Sequence, residues 1–60
     1  MWIRFKYRMG KTLQVRTSGK VGLVTGLHYD GKEKKYLIRT APGQESWHNI
    51  TELRKAKGNL

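Results

Sequence analysis

The residues in this chain that could carry chemistry are cations on alternate positions, aromatic rings among them, two histidines and two serines. Arg4, Lys6 and Arg8 stand two residues apart, Lys11, Arg16 and Lys20 follow, and no acid occurs among the first twenty residues. On an extended strand, alternate side chains leave one face about 6.6–6.8 Å apart, a spacing close to that of successive phosphates on one nucleic-acid strand. The planar arginine fork holds a phosphate at two points and also stacks on bases. Arg39 adds a later cation. Trp2 shares the parity of Arg4 and Lys6, and Tyr29 falls at a hairpin mouth. Rings interleaved with cations are platforms for unpaired bases, each stacked base contributing about 1–3 kcal/mol. Quieter roles are open to the same residues: edge cations guard a strand against aggregation, and Trp2 and Tyr29 can pack as satellites of the core.

Catalysis has less to work with. The chain has no cysteine, and Ser18 and Ser46 sit in or beside turns. His28 and His48 have no evident orienting carboxylate, and a metal would need a third ligand that the spacing does not offer. No catalytic residue, metal or cofactor is expected. Asn49-Ile50-Thr51 matches a glycosylation acceptor but reads as a helix cap. Trp2, Tyr7, Tyr29 and Trp47 are the rings available for a methyl-lysine cage, which needs three or four of them to converge.

Bulk properties agree with a binding role. Thirteen Lys and Arg face four Asp and Glu, giving a net charge of +9 and a pI near 10.4. That excess opposes compaction by self-repulsion and suits a polyanionic partner, DNA or RNA first and an acidic protein surface second. Sixty residues make one small domain with a thin stability margin. The absence of cysteine suits a reducing compartment, and no apolar run approaches the roughly 20 residues of a membrane span. The start alternates bulk with charge, unlike a signal peptide. A cytoplasmic protein is the expectation.

The elements that must position these residues are strands. Ile3, Phe5 and Tyr7 point one way and Arg4, Lys6 and Arg8 the other, predicting an extra basic strand over residues 1–9 that can pair as a hairpin with a second over Thr12 to Thr17. Residues 21–29 form a third strand, in which Gly22 and Gly26 mark a bulge, a bend or a close backbone approach. Asp30-Gly31 opens a hairpin with a loop longer than two residues. Lys35 to Thr40 returns with Tyr36 and Ile38 on one face and Leu37 and Arg39 on the other. Pro42-Gly43 suits a type II turn, and Ser46-Trp47-His48 is a short strand. Asn49 followed by Glu52 resembles a capping box, with a 3-10 turn or short helix from Ile50 and a stop at Gly58. Residues 56–60 read as a frayed tail. The expected core is Ile3, Phe5, Val15, Leu23 or Val24, Leu27, Tyr36, Ile38, Trp47, Ile50 and Leu53. Five or six antiparallel strands with glycine-marked bends predict a mainly β chain closed into a small barrel. Dimerisation through the N-terminal strand would supplement so small a core.

From Gly10 to Leu53 the chain resembles the SH3-like small-barrel group, including KOW-type and Tudor-like modules and small bacterial or phage barrels. The segments that carry the resemblance are VRTSGKVGLVTGL, YLIRT and WHNITEL, and the KOW-pattern glycine before an apolar pair matches Gly22. The resemblance implies an SH3-like barrel. The extra basic strand ahead of the motif departs from KOW modules. The plasmid-type dihydrofolate reductase is a catalytic barrel of this kind, but its Val-Gln-Ile-Tyr segment is replaced here by Gln44-Glu45-Ser46-Trp47-His48. The combined expectation is a non-enzymatic barrel that neutralises phosphates with little base readout, or alternatively an interaction module that docks on an acidic protein.

Overall fold

The β-rich reading holds in a computed structural model that describes residues 4–56. Leu13 and Val15 alternate with Thr12 and Gln14, and they build β1 (Thr12–Val15) with both apolar side chains buried. Gly19, at φ +76°, closes the turn that follows: its N–H donates to the Val15 carbonyl at 2.7 Å. β2 (Val21–Tyr29) and β3 (Lys34–Ala41) form the longest hairpin. Asp30 Oδ1 holds their loop by accepting from the N–H groups of Lys32 and Glu33, both at 2.9 Å. Gly43, at φ +76°, takes the left-handed third position that a type II turn requires, and β4 (Gln44–Asn49) then runs back along β3. A 3-10 turn (Ile50–Glu52) leads into β5 (Leu53–Lys55).

These five antiparallel strands make one sheet in the order β4-β3-β2-β1-β5. The last strand returns beside the first, pairing Val15 with Leu53 and Leu13 with Lys55. Register shifts between Val24 and Gly26 and between Arg39 and Ala41 bend the sheet. Its concave side holds the core: Leu13, Val15, Val24, Tyr36, Ile38 and Leu53, joined by Tyr7 from the N-terminal segment. Phe5 and Tyr7 meet Tyr36 edge-on, each with ring centroids 5.7 Å away.

Several expectations are corrected. Residues 4–9 form no strand, and the chain bends at Lys6 and Tyr7. The reason lies in pairing: β2 and β5 occupy both edges of β1, so no ladder is left for a preceding hairpin partner. The segment is held by other means. The Lys6 N–H donates to the Tyr36 hydroxyl at 3.0 Å, and the Gly10 N–H donates to the Val24 carbonyl at 2.8 Å. Inward and outward alternation survives without the ladder, with Tyr7 buried and Arg4, Lys6 and Arg8 exposed. A dimer built on that strand therefore has no strand to pair over residues 4–9. β1 also stops at Val15 instead of continuing to Thr17.

Between Leu23 and Val24, the core takes Val24. Trp47 and Ile50 are exposed: Trp47 pairs with Leu37 on the convex face of an edge strand, and Ile50, in the 3-10 turn, lines a groove beside Tyr36 instead of entering the core. The capping box is present: Asn49 Oδ1 accepts from the Glu52 N–H at 3.2 Å, and Glu52 Oε1 accepts from the Asn49 N–H at 3.1 Å. Trp2, Ile3, Gly58 and the tail from residue 57 lie outside the described residues.

Candidate nucleic-acid interface

The N-terminal segment packs on the concave side of the sheet through Phe5 and Tyr7, and its Lys6 lines two grooves there. The larger, about 650 Å³, has a floor of Tyr29, Tyr36 and Ile50 and cations Lys6, Lys32 and Lys34 at its rim, with one acid, Glu33. The smaller, about 400 Å³, lies among Phe5, Tyr7, Arg8, Lys11 and Lys55. Each cation has a local reason for its place. Lys34 shares the face of Tyr36 two residues on, its ammonium donates to the Arg4 carbonyl, and it stands 5.7 Å from the Phe5 ring centroid. Lys6 holds its ammonium 5.7 Å from the Tyr7 ring centroid while its N–H is fixed by Tyr36. Lys11 directly precedes β1, and Lys55 pairs with Leu13 at the far end of β5.

The acids leave these charges uncompensated. Asp30 is engaged by the N–H groups of its own loop, which hold its carboxyl below the usual value: the Glu33 bond contributes most, then that of Lys32. Glu52 is occupied by the cap and by His48, and Glu45 accepts from the Thr25 hydroxyl at 3.3 Å. Among the described residues no lysine or arginine has a carboxylate within 4.0 Å. The field of the basic band is therefore available to a polyanion.

Of the expected binding residues, Lys6, Arg8, Lys11 and Tyr29 come together on the two grooves, and Arg4 adjoins them through Lys34. Tyr29 is 40% exposed and donates its hydroxyl to the Gly31 carbonyl. The even strand spacing expected of Arg4, Lys6 and Arg8 is replaced by a bent segment. Arg16, Lys20 and Arg39 line neither groove. Arg16 stands in the turn after β1, Lys20 borders a third groove beside His48, and Arg39 lies on the convex face between Leu23 and Glu45. Trp2 is outside the described residues. Lys32, Lys34 and Lys55 join the grooves without being among the expected binding residues. Only Lys34 carried a usable signal in the sequence, its two-residue offset from the core residue Tyr36.

The histidines part company. His28 pairs with Lys35 on the convex face and meets the Trp47 ring edge-on, centroids 6.0 Å apart. His48 faces the concave side and does have a carboxylate, since its Nδ1 lies 3.3 Å from Glu52 and its Nε2 lies 2.7 Å from Ser46 Oγ. A carboxylate at Nδ1 favours the tautomer whose Nε2 accepts from the serine hydroxyl. The row has the order of nucleophile, base and orienting acid, but acyl transfer also needs donors converging on an oxyanion. What the contacts do directly is tie the end of β4 to the 3-10 turn. Among the described residues no three metal-ligating side chains cluster, and no helix is long and apolar enough to cross a membrane.

The chain matches no protein-family model, no curated protein and no solved structure.

Proposed function

We propose that this chain is a non-enzymatic nucleic-acid-binding module of the SH3-like small-barrel kind, working in a reducing, cytoplasmic setting. The observation that carries the reading is the band of Lys6, Arg8, Lys11, Lys32, Lys34 and Lys55 on two grooves that share Lys6, none of these cations paired with an acid among the described residues. Such a band neutralises phosphates and carries little base readout, because among the described residues no α-helix is present to enter a groove of DNA. The barrel reading draws support from the return of β5 beside β1, the bends at the two register shifts and the tight approach of β3 to Gly22.

If six phosphates are engaged on duplex DNA, log K falls with log salt at a slope of about −5. The test is a salt titration of labelled oligonucleotides against the chain and against a Lys6→Gln, Arg8→Gln, Lys11→Gln variant. The variant binds all sequences more weakly, with a slope shallower by about 3. A slope near zero, or unchanged affinity in the variant, rejects the proposal. A stoichiometric acidic protein partner that survives nuclease treatment would place the same cations in a protein interface.

A further inference from the structure

The convex face holds a second arrangement that the basic band does not use. Trp47 is 49% exposed on the edge strand β4. The register sets Leu37 beside it and Gly26 beyond Leu37. A Cβ on Gly26 would stand 3.4 Å from Trp47 Cη2, the far end of the indole. The ring therefore reaches across β3 to β2, with one side supported by the sheet and the other open to solvent. His28 braces its edge. Lys35 pairs with Asn49 and Arg39 with Glu45, two residues to either side of Trp47, so the two cations stand at its diagonals. Neither has a carboxylate within 4.0 Å among the described residues.

We propose that this face takes an unpaired nucleobase on Trp47, with the adjoining phosphates at Lys35 and Arg39, and that the protein consequently prefers single-stranded nucleic acid. The inference rests on the nucleic-acid reading and deepens it. A supported ring between two cations matches the alternation of base and phosphate along a single strand. Bases inside a duplex have both faces covered by their neighbours and cannot use the platform. Leu23, 47% exposed, extends the apolar floor beside Arg39.

The test uses the full chain carrying Trp2→Phe, so that Trp47 alone reports. A thymidine oligomer, the corresponding duplex and a polyglutamate peptide are titrated separately. The oligomer quenches the fluorescence; with labelled oligonucleotides and the chain otherwise unsubstituted, Trp47→Leu weakens single-strand binding by roughly 5- to 140-fold while duplex affinity changes less than about twofold. Trp47→Phe, which keeps a ring and the strand, falls between. Single-strand affinity unchanged in both variants, while Lys6→Gln, Arg8→Gln, Lys11→Gln still loses binding, overturns the platform and leaves the basic band standing. Quenching by polyglutamate alone overturns it in favour of a protein-binding face. Failure of the unsubstituted chain to bind any polynucleotide removes both readings.

Discussion

Replacing Gly22 by alanine tests the packing that curls the sheet. Gly22 is buried within β2, and a Cβ there would lie 2.5 Å from the Arg39 carbonyl oxygen, 2.9 Å from the Arg39 carbonyl carbon and 2.8 Å from Ile38 Cγ2. Carbon and carbonyl oxygen approach to about 3.3 Å at closest, so β3 would have to withdraw by about 0.8 Å. The obstacle is backbone, and moving it stretches the ladder that pairs Leu23 with Arg39. Overpacking of this kind costs about 1–3 kcal/mol, against a gain of about 0.4–1 kcal/mol from a stiffer unfolded chain. The expected net loss is about 1.3 kcal/mol. At about 0.05–0.15 kcal/mol per residue, a 60-residue domain holds only about 3–9 kcal/mol in total. Gly26→Ala is the control in the same strand. Its Cβ would meet Leu37 Cβ at 3.1 Å, Leu37 Cδ2 at 3.3 Å and Trp47 Cη2 at 3.4 Å, so Leu37 need give by only a few tenths of an ångström. Thermal unfolding followed by circular dichroism should show Gly22→Ala melting about 5–10 °C lower, with Gly26→Ala within about 5 °C of the parent. Equal melting temperatures for the two variants would refute the argument from close approach.

Removing the cap acceptor with Asn49→Ala strips the Thr51 and Glu52 N–H groups of their partner and should cost about 0.5–2 kcal/mol. Asn49→Asp, which keeps an acceptor, should unfold near the parental urea midpoint; equal losses in both variants would discount the cap. Tyr36→Phe deletes the acceptor for the Lys6 N–H, so hydrogen exchange at that amide should quicken and stability fall by about 1 kcal/mol. Unchanged protection at Lys6 would show that the N-terminal segment is held without it. Because the folded Asp30 carboxyl lies below its ordinary value of 3.8, its contribution is complete above that pH and is lost as the pH falls through the lower folded value. An NMR titration should give a midpoint for the Lys32 and Glu33 amides below 3.8, and one at or above it would contradict the loop geometry.

Local chemistry was readable from the residues alone. Alternation in β1 and β3, the Asp30 loop, the Pro42-Gly43 turn and the Asn49–Glu52 cap depend on neighbours within a few positions, and all four appear as expected. The in-and-out parity of Phe5, Tyr7 and their cationic neighbours was legible for the same reason.

Which strands pair is a matter of competition between distant segments, and it went the other way at the N-terminus. Leu53–Lys55 took the edge of β1 that residues 1–9 were expected to fill, so the basic stripe became a bent segment shared between two grooves. Edge position likewise decided Trp47: the same indole that reads as core in a central strand stands half open on β4. Charge, turn residues and strand parity are properties of the chain as written. The convergence of Lys6, Lys34 and Lys55 and the exposure of Trp47 required long-range register, because only pairing across the sheet sets which faces distant residues share.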